Sequence, residues 1–246
     1  MSDEPEIALP FGQLSLGVVR VGETVRRPAK ASSPFVARLL ALLEQRGLAW
    51  SPRYFGQDAA GRDVLTFIPG SVPARWRAFS DAQVIAATRL LRELHDATRG
   101  SELAGAHEVV CHHDPGPNNA VLDASERPVA YIDFDFAAPG SALEDVGYLA
   151  WSWCVASKPE RQPVSGQAAQ VRLVADHYGL DHEQRSHLVD AILERQTRNE
   201  RFWATQLTLG EPARATPEKM REISAWSKRE FAFTSANRAI FEAALR

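Results

Sequence analysis

The sequence predicts an α+β protein with strands gathered early and helices late. Three observations carry this. Residues 17–68 hold four short runs rich in β-branched and aromatic residues, cut by glycine and proline. The stretch from Val109 to Ala150 holds three more short apolar runs separated by turn residues. Residues 166–245 carry long helical patterns with few breakers.

In chain order, Gly17–Val21 and Thr24–Arg26 read as strands joined at Gly22-Glu23. A helix follows, with Ser33 as N-cap, Pro34 in the first turn and Gly47 as its close. Arg53–Gly56 and Asp63–Ile68 read as two further strands, the second broken by Pro69-Gly70. Ser80-Asp81-Ala82-Gln83 is a capping box opening a helix that runs to about Gly100, with Leu90, Leu91 and Leu94 on one side. His95 extends that apolar face and reads as a satisfied core histidine. Val109-Val110, Ala120–Leu122 and Pro128–Ile132 are the middle strands. A second capping box, Ser141–Glu144, puts Asp145 in the first turns of a helix, where its dipole favours a carboxylate. Tyr148, Trp151 and Trp153 follow, read as core aromatics with a substrate wall as the other possibility. Later helices start near residue 166, at the cap Asp181 and at Thr216-Pro217, the last running past Phe241.

Composition excludes several classes. The chain has 246 residues, enough for one large domain or two lobes, and its 45% apolar and 24% charged content is ordinary for a globular protein. A net charge of −3 gives no sign of a nucleic-acid or membrane partner. Cys111 and Cys154 are the two cysteines, so no disulfide framework is needed. The first residues lack the apolar core of a signal peptide, and a cytoplasmic location is expected.

The middle stretch carries the chemistry. Asp114 follows its first strand, Asn119 lies five residues on, and Asp133 ends its third strand. Phosphoryl transfer from ATP needs a carboxylate near the attacking hydroxyl and oxygen ligands for Mg²⁺. Asp114 suits the first task, and Asn119 and Asp133 the second. Protein kinases carry these parts as His-Arg-Asp, four residues, Asn, then Asp-Phe-Gly. Here they are His112-His113-Asp114, four residues, Asn119, then Asp133-Phe134-Asp135. A metal cluster of Cys111, His112, His113 and Asp114 is disfavoured, because adjacent strand residues point to opposite faces.

With Ile132–Ala137 and the later Leu143-Glu144-Asp145-Val146, the stretch resembles the aminoglycoside phosphotransferase and choline kinase superfamily, small-molecule kinases of protein-kinase-like fold. The resemblance implies two lobes, β-rich over about 1–70 and mainly helical over 71–246, meeting near residues 68–72. It implies ATP with Mg²⁺ and a small-molecule hydroxyl acceptor. Asp114 would take or orient the hydroxyl proton, and Asn119 and Asp133 would hold Mg²⁺. His112 would support the loop, Asp145 would brace it, and Asp135 stands where protein kinases have glycine. Gly12 and Gly17 loosely fit the phosphate loop, Arg26 (alternatively Arg27) fits the phosphate-binding lysine, and the hinge backbone at Ile68 would meet adenine. The first helix offers only Glu44, near its C-terminal end, for the acid that pairs with that lysine. These departures keep a second expectation open, a nucleotide- or metabolite-binding protein without turnover; a metal-dependent hydrolase is a third. The near balance of acidic and basic residues after Val155 does not favour a polycationic acceptor.

Overall fold

The computed structural model describes residues 5–9, 17–73, 77–158, 160–209 and 215–246; Gly12 lies outside them. Five strands form one antiparallel sheet in the order β1 (Ile7–Ala8), β2 (Val19–Val21), β3 (Thr24–Pro28), β5 (Arg62–Thr66), β4 (Tyr54–Gln57). The two-residue Gly22-Glu23 connection sets the hairpin register, Val21 opposite Thr24. Helix α1 (Ser33–Gln45) buries Val36, Leu39, Leu40 and Leu43. Its N-cap is Ser32, not Ser33. The Ser33 hydroxyl is used elsewhere: it accepts the Lys30 N–H at 2.9 Å and donates to Asp63.

The chain leaves the sheet through Phe67, Ile68, Pro69 and Gly70 and forms a two-hydrogen-bond bridge from Ser71 to Leu122. Gly70 has φ +150°, and a Cβ there would meet the Leu122 carbonyl and lie 2.5 Å from Val121 Cγ1. Only glycine allows that approach, which ties the sheet to the middle strands.

The helical part is built around α2 (Asp81–Thr98), which starts at the Ser80–Gln83 capping box. Strands β6 (Val109–Cys111), β7 (Ala120–Leu122) and β8 (Pro128–Tyr131) follow. β7 pairs with β8, whereas β6 pairs with β9 (Ala138–Gly140). β9 was not anticipated, because Ala-Pro-Gly carries no strand propensity; pairing with β6 overrides it. Helix α3 (Ala142–Leu149) passes into a π-helical turn, Ala150–Cys154. Helices α4 (Val164–Tyr178), α5 (His182–Leu209), α6 (Pro217–Ala236) and α7 (Arg238–Leu245) complete the chain. The expected last helix is thus two, broken at Asn237, where neither glycine nor proline marks the sequence. Leu91, Leu94, Val109, Val110, Tyr131 and Trp153 are buried in one core joining α2 to the middle strands. Among the described residues no helix is long and apolar enough to cross a membrane.

Candidate active site

Asp114 sits in the loop after β6. Its Oδ2 accepts a hydrogen bond from Asn119 Nδ2 at 2.8 Å, and its Oδ1 accepts one from the Tyr148 hydroxyl. Asn119 also donates to the Asp114 carbonyl at 2.9 Å, so its amide nitrogen is committed to Asp114, while its side-chain oxygen accepts from Asn118 Nδ2 at 3.1 Å. The Asn119 carbonyl in turn accepts the Ile132 N–H at 2.9 Å, which brings Asp133 beside this loop. His112 is buried between Tyr131 and Phe134. Its Nδ1 faces the Asp114 N–H at 3.3 Å and its Nε2 faces the Ile132 carbonyl at 3.1 Å. That pattern requires the proton on Nε2, and burial pushes the imidazole pKa down, keeping it neutral.

Asp145 lies beneath the loop, fully buried. It accepts the His112 N–H at 2.5 Å, the His113 N–H at 2.8 Å and faces His95 Nε2 at 3.1 Å. Burial alone would push its carboxyl up, but the hydrogen bond from His95 outweighs it and holds it at about 2. His95 is satisfied on both nitrogens, the other facing the Tyr178 hydroxyl at 2.6 Å. His113 has φ +61°, a conformation costly for its side chain. Two contacts hold it: the N–H bond to Asp145 and a 2.9 Å bond from Arg195 of α5 to its carbonyl. Asp133, at φ +62°, is the second such residue in the site.

The acids at 133 and 135 face the cations of the sheet. Arg27 Nη1 is 2.6 Å from Asp135 and 3.5 Å from Asp133, and Lys30 also binds Asp135. Asp135 is nearly covered, Asp133 42% exposed. Burial raises both carboxyls; Arg27 and Lys30 bring Asp135 back below its ordinary value. For Asp133, loss of water and repulsion from Asp135 prevail, and its pKa is pushed up to about 6. A hard cation would relieve that surplus of negative charge. Asp133 and the Asn119 oxygen are the hard oxygen donors Mg²⁺ takes, so the residues fit it. Among the described residues the grouping closest to a metal-ligand set is instead His95, Cys111 and Asp145, with ligand atoms within 4.8 Å of one another. The bonds of Asp145 and His95 just described already occupy it. The contiguous Cys111–Asp114 cluster does not form.

Arg26 does not reach these acids. On β3 it stands opposite Val19 and Val64, on the face away from the acids, and its charge is felt by Glu6. The cation that reaches the site is Arg27, directly opposite Asp63 on β5 and 3.6 Å from it. A one-residue slip on a strand reverses the face. Asp63, fully buried, also accepts from Ser33, from the Tyr54 hydroxyl at 3.1 Å and from Gln57 at 3.4 Å. The acid beside Arg27 is thus Asp63, whereas Glu44 pairs with Arg53 at 3.2 Å. Gly17, φ +84°, packs toward Pro28 at the end of β3. Ile68 is half-buried after Phe67, whose ring lies 3.9 Å beneath the Arg20 guanidinium. The sequence offers Tyr148 only as a core or substrate-wall aromatic and does not single out Asp63, Lys30 or Arg195 for the site. The one available signal was Asp63, an acid opening an otherwise apolar strand.

An antiparallel sheet joined to a helical lobe, with Asp114 and Asn119 between β6 and β7 and Asp133 after β8, defines the class of protein-kinase-like phosphotransferases. The sequence profile of the phosphotransferase enzyme family matches residues 98–179, the span holding all three. The trifolitoxin immunity protein of Rhizobium leguminosarum bv. trifolii is 32% identical over 200 residues, covering 72% of this chain and 75% of that protein. The chain belongs to the phosphotransferase enzyme family. Solved structures agree on the fold. A choline/ethanolamine kinase family protein from Mesorhizobium loti has a TM-score of 0.62 at 18% identity, covering 99% of this chain and 93% of that one. A spectinomycin phosphotransferase, in complex with ADP and spectinomycin, has a TM-score of 0.60 at 10% identity, covering 89% and 88%.

Proposed function

We propose that the protein transfers the γ-phosphoryl group of ATP, with Mg²⁺, to a hydroxyl of a small molecule. The observation that carries this is the bonded group Asp114–Asn119, with Asp133 near enough for the Asp114 charge to act on it. Mg²⁺, held by Asp133 and the Asn119 oxygen, would neutralise phosphate charge. The residues do the rest. Asp114 orients the acceptor hydroxyl and takes its proton as the oxygen attacks phosphorus and ADP leaves. Tyr148 and Asn119 fix the Asp114 carboxylate by one bond to each oxygen. Arg27 and Lys30 bring positive charge to the phosphates, and Asp63 keeps Arg27 pointing there. The lobes divide near residues 68–72, with Ile68 beside the adenine. A requirement for ATP would favour a cytoplasmic location, where the free thiols Cys111 and Cys154 would stay reduced.

Similarity to an immunity protein favours a toxic compound as acceptor. The test is ATP consumption against a panel of aminoglycosides, macrolides, nucleosides, sugars and amino alcohols, beside thermal melting with Mg–ATP. Saturating nucleotide at a hundredfold excess over Kd stabilises by about 2.7 kcal/mol. No melting shift with any nucleoside triphosphate refutes the proposal. A shift without consumption on any acceptor supports the second reading, a nucleotide-binding protein without turnover, which arginine in the lysine position favours.

A further inference from the structure

Three buried polar atoms without hydrogen-bond partners belong to side chains that line one small cavity of the helical lobe. They are Trp151 Nε1, Arg161 Nε and Glu230 Oε2. Each is set in place by the rest of its side chain. Glu230, 1% exposed, accepts the Ser157 N–H at 3.0 Å and the Ser157 hydroxyl at 2.6 Å, both on Oε1, which leaves Oε2 over. Arg161 donates from Nη1 to the Arg77 carbonyl at 2.6 Å and from Nη2 to the Trp153 carbonyl at 3.3 Å, which leaves Nε over. Trp151 stacks on Trp226 at 4.9 Å and 18°, and Nε1 is its one polar atom. A buried polar group left unpaired costs about 1–3 kcal/mol. All three belong to side chains that line this one cavity, and a group bound there would complete them.

The donor set selects that group. Two N–H donors and one carboxylate oxygen match a group that accepts twice and donates once, which is a hydroxyl. An ammonium has no lone pair for Trp151 and Arg161. A carboxylate has no proton for Glu230, and the negative charge of a carboxylate or a phosphate is repelled by it. Lys158 and Arg161 on the lining offset Glu230, so the cavity does not draw polycations. Its volume of about 20 Å³ admits one hydroxyl-sized group, since a water-sized occupant needs at least about 10–15 Å³. The site is close to the proposed chemistry: Trp151 packs edge-on against Tyr148 at 5.7 Å, and the Tyr148 hydroxyl donates to Asp114.

We propose that this cavity recognises a second, non-reacting hydroxyl of the acceptor, so that the acceptor is a neutral polyhydroxy molecule. The proposal rests on the phosphotransferase reading of Asp114. It is tested on the full ¹⁵N-labelled chain through the tryptophan indole N–H signals, six in all, with Trp151→Phe assigning one of them. The probes are methyl glucoside and myo-inositol, with ethylammonium and acetate as controls. The Trp151 signal is expected to shift saturably with the two hydroxyl compounds and with neither control. Glu230→Gln should weaken that response about tenfold or more, the loss of one charge-assisted hydrogen bond. If that variant does not fold, the wild-type titration decides alone. A Trp151 signal unmoved by both hydroxyl compounds means that the cavity holds only water, and overturns the proposal. So does a signal that follows acetate or ethylammonium. Mg–ATP added to the same sample separates the two claims. Nucleotide binding beside a silent Trp151 refutes the pocket alone, whereas absence of nucleotide binding refutes the phosphotransferase reading.

Discussion

Replacing Arg27 by alanine tests which face of β3 serves the site. Its guanidinium lies 3.6 Å from Asp63, 2.6 Å from Asp135 and 3.5 Å from Asp133, with the side chain 11% exposed. Truncation leaves the fully buried Asp63 without its cation. Removing one partner of a buried ion pair costs about 3–5 kcal/mol. Three neutral donors, Ser33, Tyr54 and Gln57, stay on Asp63 and put the expected loss at the lower end, about 3 kcal/mol. In a chain of this size that lowers Tm by roughly 6–12 °C. Mg–ATP affinity should fall as well, because Lys30 alone remains to face the phosphates. Arg26→Ala removes a half-exposed side chain on the other face, so stability should change by no more than about 0.5 kcal/mol and nucleotide affinity should hold. Arg27→Lys keeps the charge without the planar fork and should fall between. Scanning calorimetry and ATP titration calorimetry on the three variants read both effects. If Arg26→Ala weakens ATP binding more than Arg27→Ala does, the face assignment and the role given to Arg27 are wrong.

Three further outcomes are expected. Asp114→Asn should keep nucleotide binding and lose turnover by about 10²–10⁴-fold, the usual share of a general base; Asp133→Asn should weaken Mg²⁺-dependent binding too, with partial rescue by raised magnesium, and the reverse pattern in ATP titrations at two magnesium levels would falsify the assignment. Asp145→Asn should destabilise the protein by about 2–3 kcal/mol at pH 7, because a carboxyl held at about 2 against an ordinary value of about 3.9 contributes that much. The sign follows from the depressed pKa: the contribution is complete above about pH 4 and is lost as pH falls toward 2, so wild type and variant should converge in urea midpoints measured at acid pH. Asp133 has the opposite sign, its pKa being pushed up to about 6, so lowering the pH through 6 protonates it and favours the free protein. Mg–ATP affinity should therefore be flat above about pH 7 and fall below 6, and that acid limb should vanish in Asp133→Asn.

What the sequence made legible is what acts over a few residues. The capping box at Ser80–Gln83 closes on itself within one turn, as does the Asp181 cap, whose Oδ1 accepts the Gln184 N–H at 2.8 Å. The order Asp114, Asn119, Asp133 is legible for a related reason. The first two are five residues apart and bonded, and the third is reached along β8, beside β7. The helical break at Asn237 and the strand β9 depend on what packs or pairs with them, and no local residue announces either.

The choice between Arg26 and Arg27 has the same origin and shows its limit. Two adjacent arginines on one strand are equivalent to any local argument, and only the partner across the sheet distinguishes them. That partner is Asp63, thirty-six positions along the chain and opposite Arg27 in the β3–β5 register. A buried carboxylate must be paired, and Asp63 lies beside the buried Val64 and Leu65. The search for its cation could therefore have started from Asp63 rather than from the helix. Counting back through the antiparallel pairing of Thr24 with Thr66 leads to residue 27, and so to the face that meets Asp133 and Asp135. An acid in an apolar strand is thus the more informative residue, because burial makes its need for a partner obligatory, while the long side chain of an arginine can often carry its charge to solvent.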